Sequence, residues 1–265
     1  MRILVTNDDG IHAPGLEIME SLARQFAGPD GTVWTVAPEQ EQSGVGHAIT
    51  FQNVLQVQQV GQRRFMVQGT PGDCVIVALR HLMAKPPDLV LSGVNRGNNS
   101  GQNAAYSGTV GAAMEGALQG VRSIAYSQYI GLKNRLLDDP FEATRTHGLI
   151  LLRKLIDCTP WDEQDYRLFV NVNFPPCPAD EVAGASVVSQ GFRRNSNYSI
   201  EPLLTRARRR FLSIAGGLQT CTATPGTDVN ANMADQISIT PMRADMTAYE
   251  TMENMRERFR KRELC

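Results

Sequence analysis

The stretch ILVTNDDGIHAPG, residues 3–15, joins a short apolar run to two adjacent carboxylates and a glycine. Residues 3–6 are apolar or β-prone, which predicts a parallel strand buried on both faces. Asp8 and Asp9 follow this strand directly. Two neighbouring carboxylates repel each other and are costly to bury unless a positive group compensates them. The rest of the sequence must therefore indicate which group compensates the charges of this pair at the end of a buried strand.

Strand and helix patterns alternate through the first two thirds of the chain. Further buried strands are predicted at 32–38, 88–93, 123–127 and 169–175, and less regular strands at 48–60 and 63–70. Helices are predicted at 16–26, 71–83, 108–120 and 140–157. This alternation predicts an α/β fold with a Rossmann-like, mostly parallel sheet flanked by helices.

The pattern changes after the fifth buried strand, so three parts are expected. Residues 1–175 form the Rossmann-like core, and 176–247 form a smaller β-rich appendage with a strand at about 235–242 that returns to the core. Residues 248–265 place Tyr249, Met252, Met255 and Phe259 at helical spacing, which predicts an amphipathic helix that needs a partner surface. The basic run at 206–210 is either a solvated face or a means of steering anionic substrates.

Composition excludes several classes of protein. The formal net charge is −1 over 265 residues, which argues against a general nucleic-acid binder. No apolar run approaches the ~20 residues that span a bilayer, and the first residues show no signal-peptide pattern. The five cysteines form no CxxC pair, which favours free thiols and a cytoplasmic location.

Three loops that follow predicted strands are rich in oxygen-bearing side chains. Asp8 and Asp9 follow the first strand, Ser43 follows the second, and Asn95 follows the third buried strand. Ligands of open α/β sheets bind beyond the carboxyl ends of the strands, so these loops are expected to converge. Carboxylate, hydroxyl and amide oxygens suit Mg²⁺ or Mn²⁺. The alternative is that the two aspartates only cap a turn or the following helix.

A phosphate site is predicted close to this cluster. Ser107, Gly108 and Thr109 open a helix whose exposed N–H groups can hold an anion, although Ser107 alone is also a plain N-cap candidate. The loop 93–108 is long and rich in glycine and asparagine, and its Arg96 could pair with an anionic group. His47 is either a proton donor near the site or a structural histidine, and His12 is a weaker candidate to line the pocket.

Seven segments together resemble the SurE survival-protein family of metal-dependent 5'/3'-nucleotidases. They are ILVTNDDGIHAPG (3–15), VAPEQEQSGVGHAIT (36–50), GTPGDCV (69–75), PDLVLSGVNRGNNSG (87–101), YSGTVGAAMEGA (106–117), VNVNFP (170–175) and ISITPM (237–242). The resemblance implies one divalent metal per subunit, bound by Asp8, Asp9, Ser43 and Asn95. It also implies that Asn99 and Ser107 to Thr109 bind the phosphate. A C-terminal helix exchanged between subunits of a homodimer or homotetramer is a further implication.

The expected function is therefore hydrolysis of nucleoside 5'-monophosphates, with 3'-monophosphates as a second substrate class, through a metal-activated water. One alternative is an aspartyl-phosphate route with Asp8 as nucleophile, but phosphatases of that type carry DxD rather than adjacent aspartates. A second is a non-catalytic nucleotide-binding Rossmann protein. That class is expected to show GxGxxG after the first strand, where this chain has NDDGIHAPG.

Overall fold

The computed structural model describes residues 1–161, 165–194, 196–203, 211–220 and 223–260. The basic run at 206–210 lies outside these residues. Cys74, Cys158 and Cys177 are free thiols, as predicted, whereas Cys221 and Cys265 lie outside the described residues.

Among the described residues, eleven strands form one large sheet and one small one. The strands are β1 (Arg2–Thr6), β2 (Thr32–Pro38), β3 (Val57–Gly61), β4 (Arg64–Val67), β5 (Leu89–Arg96), β6 (Ser123–Gln128), β7 (Phe169–Phe174), β8 (Ala185–Val187), β9 (Ser199–Leu203), β10 (Phe211–Ala215) and β11 (Ile237–Met242). The large sheet has the order β3-β4-β2-β1-β5-β6-β7-β11-β8. Its six central strands, β4 to β7 in this order, are parallel. The predicted α/β class with a mostly parallel sheet is thereby confirmed.

Within the described parts of the chain, six α-helices accompany the strands, and most of them cover the two faces of the sheet. They are α1 (Pro14–Ala27), α2 (Pro71–Val77, continued by a π-helical turn), α3 (Gly108–Leu118), α4 (Glu142–Cys158), α5 (Asp228–Met233) and α6 (Tyr249–Arg260). Side chains of β1 alternate between two buried clusters. Ile3 and Val5 pack on the face with α1 and α4, whereas Leu4 packs on the face with α2. Burial on both sides explains why this strand is a continuous apolar run.

One part of the C-terminal third extends the large sheet, and another part lies outside it. β11 pairs antiparallel with β7 and parallel with β8, so residues 237–242 lie within the large sheet. β9 and β10 form a separate antiparallel hairpin. α6 has no buried residue, and Met255 and Phe259 are 53% and 64% exposed. No helix among the described residues combines the length and the apolar character needed to cross a membrane.

The sequence prediction of a strand at 48–60 is wrong over most of its length, since β3 begins only at Val57. The reason lies in the N-terminus of α2. The Asp73 carboxylate accepts hydrogen bonds from both the backbone N–H and the hydroxyl of Thr50, at 2.9 and 2.7 Å. Because this part of the chain bonds to a side chain rather than to a strand, it runs as a loop, and Phe51 and Val54 are exposed.

Candidate metal and phosphate site

The candidate site lies where the strand order of the sheet reverses. The chain leaves β1 for β2 on one side, whereas β5 pairs with β1 on the other side. Such a switch point opens a crevice beyond the carboxyl ends of the strands. The turn after β1 begins with Asn7, whose amide donates to the Gly10 carbonyl at 2.9 Å. Gly10 has a φ of +99°, a conformation that favours glycine, so this tight turn presents Asp8 and Asp9 at the crevice.

Asp8 is buried against the N-terminus of α3. Its carboxylate accepts hydrogen bonds from the Thr109 backbone N–H, at 3.0 Å, and from the Thr109 hydroxyl. A Cβ atom at Gly108 would lie 2.9 Å from the Cβ of Asp8, so a glycine there lets the helix approach this closely. Asp8 is therefore an anion seated at a positive helix end, although that helix is α3 and not the one that follows it in sequence.

Asp9 is partly buried and faces the end of β5. Its Oδ2 accepts a hydrogen bond from the backbone N–H of Arg96 at 3.0 Å. Burial raises the pKa of Asp8 to about 6, and the neighbouring charge of Asp9 adds to this rise, while the hydrogen bonds from Thr109 oppose it. Burial also raises the pKa of Asp9, against the hydrogen bond from Arg96. The hydrogen-bond donors around the two aspartates thus compensate only part of the cost of burying their charged forms.

Ser43 and Asn95 lie on the two loops that neighbour the pair, and the exposed Ser43 donates its hydroxyl hydrogen bond to Glu41 Oε1 at 2.5 Å. The backbone N–H of Gln42 donates to the Asp8 carbonyl at 2.7 Å, which holds the segment with Ser43 against the β1 turn. The Asn95 amide donates to the Gly97 carbonyl at 3.0 Å, so its oxygen is the end of the side chain left to bind a ligand. Asn95 follows a register shift between β5 and β6, an irregularity of the kind that often redirects side chains beside active sites.

The chemistry of these donors fits a hard divalent cation. The neighbouring loops add a hydroxyl, from Ser43, and an amide oxygen, from Asn95, to the two adjacent carboxylates, whose burial is incompletely compensated. Mg²⁺ and Mn²⁺ prefer such oxygen donors. No group of three or more histidine, cysteine, aspartate or glutamate residues that could hold a metal occurs within the described ranges. The arrangement therefore suits a cation that accepts neutral oxygen ligands as well as carboxylates.

The structure places the predicted phosphate-binding residues in different settings. The Ser107 hydroxyl accepts from the Val110 N–H at 3.1 Å and so caps α3, which is the plain role considered for it. Thr109 binds Asp8, and the exposed side chain of Arg96 lies at the rim. Asn99 is buried, and its amide donates to the Ser127 hydroxyl at 2.8 Å. The helix terminus and Arg96 thus adjoin the aspartates, whereas the Asn99 amide group is anchored to the sheet.

The histidines take structural or peripheral positions. His47 Nε2 lies 2.6 Å from Glu115 Oε2, and this glutamate side chain, on α3, is only 6% exposed. Burial alone would raise the pKa of Glu115, but hydrogen bonds from His47 and Gln119 outweigh it and lower that pKa. His12 is exposed. His47 therefore has a direct hydrogen-bond partner in Glu115, which supports the structural interpretation of this histidine.

Several buried polar residues near the site were not singled out from the sequence. Asn173 accepts from the Asn99 N–H at 2.6 Å, and the Asn171 amide donates to the Asn99 carbonyl at 2.9 Å. Two asparagines alternating in the apolar strand FVNVNF are a signal that could have been found. Arg193 and Asp228, buried beside the same loop, stand in segments without any local pattern that predicts their burial.

Comparisons with known proteins show the family of this chain. The family model of survival protein SurE matches residues 3–197. The 5'-nucleotidase SurE of Cereibacter sphaeroides is 54% identical over 256 residues, which cover 96% of this chain and 98% of that protein. That of Ruegeria pomeroyi is 54% identical over 254 residues, with 96% and 98% coverage. The crystal structure of SurE from Aquifex aeolicus superposes with a TM-score of 0.79 at 32% identity, covering 97% of this chain and 99% of that one. The chain belongs to the SurE family.

Proposed function

We propose that this protein is a metal-dependent 5'-nucleotidase, a phosphomonoesterase that converts nucleoside 5'-monophosphates to nucleoside and phosphate. Nucleoside 3'-monophosphates are the second substrate class that we include. The observation that carries the proposal is the Asp8–Asp9 pair at the switch point of the sheet, with Asp8 in hydrogen-bond contact with the N-terminus of α3. The proposed metal ligands and the proposed anion-binding helix terminus are thereby adjacent, as phosphate-ester hydrolysis requires.

One Mg²⁺ or Mn²⁺ ion per subunit is part of this proposal, since SurE nucleotidases in general depend on a metal. Asp8, Asp9, Ser43 and Asn95 would hold it. When bound, such an ion polarises the phosphoryl group and lowers the pKa of water. Its charge also offsets the mutual repulsion of the two aspartates, which the surrounding donors compensate only in part.

The chain's own residues orient these groups and bind the phosphate. Thr109 fixes the Asp8 carboxylate through two donors, and the Arg96 N–H fixes Asp9. Either carboxylate can accept a hydrogen bond from the attacking water and so orient it. The segment from Ser107 to Thr109, the exposed Arg96 side chain and Asn99 are proposed to hold the phosphate as charge develops on it.

The aspartyl-phosphate alternative finds no support in the surroundings of Asp8. Both carboxylate oxygens already accept hydrogen bonds from Thr109, and the side chain is buried. A nucleophile must present an oxygen to the phosphorus atom with a clear line of approach, whereas a metal ligand or a hydrogen-bond acceptor needs only one further lone pair on a carboxylate oxygen. Non-catalytic nucleotide binding remains the other outcome of the experiment below.

We also propose a separate role for each of three parts of the chain. Residues 1–175 are the catalytic core, 176–247 the appendage and 248–265 a helix for oligomerisation, in a cytoplasmic homodimer or homotetramer. The exposure of Met255 and Phe259 on α6 supports the last of these, because an apolar helix face exposed to water favours association. Nucleoside monophosphates are the proposed partners, and neither duplex nucleic acid nor a membrane is included.

The test is phosphate release from AMP, GMP and their 3'-isomers after EDTA treatment, with Mg²⁺ or Mn²⁺ restored separately. Activity should vanish with EDTA, return with metal and be lost in Asp8→Asn. Asp30→Asn is the matched control, since Asp30 is exposed and precedes β2, at the opposite end of the sheet. Nucleotide binding without turnover under both metals would refute hydrolysis and favour the non-catalytic alternative.

A further inference from the structure

The loop that follows β5 is held from outside by a buried arginine far along the chain. Arg193 is 1% exposed. Its Nη1 donates to the Ser100 carbonyl at 2.8 Å, and its Nη2 donates to Asn98 Oδ1 at 2.9 Å and to the Ser100 hydroxyl at 2.7 Å. One guanidinium therefore fixes the backbone and two side chains of a single loop.

A buried carboxylate fixes the next residue of the same loop. Asp228 Oδ2 accepts from the Gly101 N–H at 2.8 Å, while its Oδ1 accepts from the Gly191 N–H at 2.8 Å. Gly101 has a φ of +61°, and a Cβ atom there would lie 3.0 Å from Arg193 Nη1. Asp228 thus joins the loop to the segment that carries Arg193.

Two further hydrogen bonds join the loop to Arg193, between the backbone of Arg193 and the side chain of Gln102. The Arg193 N–H donates to Gln102 Oε1 at 2.9 Å, and the Gln102 amide donates back to the Arg193 carbonyl at 3.1 Å. On its other side the loop is bonded to the sheet through Asn99, as described above. Residues 98–102, hereafter the β5 loop, therefore lie between the sheet on one side and residues 190–193 with Asp228 on the other.

A guanidinium is an expensive group to bury, so its place here needs a reason. An apolar side chain would fill the same volume without the cost of removing a charge from water. Arginine alone offers several N–H donors in one rigid plane, which lysine cannot reproduce. Its Nη1 and Nη2 groups donate to a loop that contains the proposed phosphate-binding Asn99.

We propose that Arg193, together with Asp228, is a positioning residue for phosphate binding, because it holds the β5 loop in the shape that the phosphate ester requires. This inference rests on the proposed function of the same site. Arg193 does not touch the substrate; it acts through Asn98, Ser100 and the backbone between them. The appendage thereby becomes a part of the active site.

The test compares Arg193→Lys and Arg193→Gln with the matched control Arg194→Gln, since Arg194 is the exposed neighbour. Loss of the paired Nη1 and Nη2 hydrogen bonds should lower kcat/KM for AMP by about 10- to 100-fold in both Arg193 variants. The reason is that misplacement of a substrate-binding loop by about 1 Å can cost about that much. The Arg194 variant should keep wild-type activity. In Arg193→Ala, guanidinium chloride below denaturing concentrations should restore part of the activity. Wild-type kcat/KM in Arg193→Gln would overturn the proposal.

Two readouts separate local positioning from general loss of structure. Backbone amide exchange should accelerate in the β5 loop of Arg193→Gln, while β1 and α3 keep their protection. Affinity for inorganic phosphate should fall by a similar factor to kcat/KM. Equal acceleration of exchange throughout the sheet, without rescue by guanidinium, would mean a purely structural role and would refute the proposal. If the wild-type protein hydrolyses no nucleotide, the proposed function fails, and the phosphate affinities still decide the role of Arg193.

Discussion

Gly111→Ala is the substitution for which the structure gives the sharpest expectation. Gly111 lies in the first turn of α3, where the loop that carries Ser43 crosses the helix. A Cβ atom at position 111 would lie 2.5 Å from the Gly46 carbonyl oxygen, 2.9 Å from the Gly46 carbonyl carbon and 3.0 Å from the His47 Cα. All three are backbone atoms, so no side-chain rotation can relieve the contact.

The magnitude follows from these distances. Ordinary contacts of a Cβ atom begin near 3.4 Å, so the Gly46 backbone must retreat by about 0.9 Å. Overpacking of this kind costs about 1–3 kcal/mol, and the higher helix propensity of alanine returns about 1 kcal/mol. The free energy of unfolding should therefore fall by up to about 2 kcal/mol. Because Ser43 lies three residues before Gly46, a shift of about 1 Å should also lower kcat/KM by about 100-fold.

The matched control is Gly148→Ala, inside α4. There the added Cβ meets a Cδ atom of Leu22 at 2.9 Å, the far end of a side chain that can move aside. This variant should gain up to about 1 kcal/mol from helix propensity and keep its activity. Urea unfolding of EDTA-treated protein and phosphate release with Mn²⁺ measure the two effects. If Gly111→Ala were as stable and as active as Gly148→Ala, the inferred packing of the loop on α3 would be wrong.

Two further outcomes are expected. Mn²⁺ should raise the melting temperature of EDTA-treated protein, since a ligand at a hundred times its Kd stabilises the native state by about 2.7 kcal/mol, and this rise should be absent in Asp8→Asn but present in Asp30→Asn. The lowered pKa of Glu115 predicts a stabilising contribution that is present above pH 4.5 and lost as the pH falls through the lowered value, because the unfolded state takes up the proton first. The stability difference between wild type and Glu115→Gln should accordingly shrink in acid urea titrations; a difference that grows below pH 4.5 would contradict this.

The fold class could be predicted from local sequence patterns, because the burial of each strand determines the pattern of its own residues. Ile3, Leu4 and Val5 form a continuous apolar run, since helices cover both faces of β1, and the fold class followed from repeats of that pattern. The two aspartates could also be found, because a polar pair at the end of a buried strand is visible in one stretch of sequence. The loop at 48–56 could not, since its conformation depends on hydrogen bonds from Thr50 to Asp73.

The directions of side chains in the site required the structure. Asn99 and Ser127 meet across the sheet end, 28 positions apart in sequence, and nothing near Asn99 indicates that its amide faces inward. Asp8 binds α3 rather than the helix that follows it, because the switch point brings the distant helix closer. Contacts of this kind depend on the completed sheet rather than on spacing along the chain.

The contacts of Arg193 and Asp228 with the β5 loop have a consequence for biosynthesis. Chains fold from the N-terminus as they leave the ribosome, and contacts between distant segments form last. Every residue proposed here to bind metal or phosphate emerges within the first 109 residues. The β5 loop, however, gains its outer support only when Arg193 and Asp228 have been translated. A nascent chain should therefore carry all of its proposed ligands for more than a hundred further residues before its β5 loop gains the support that full activity requires.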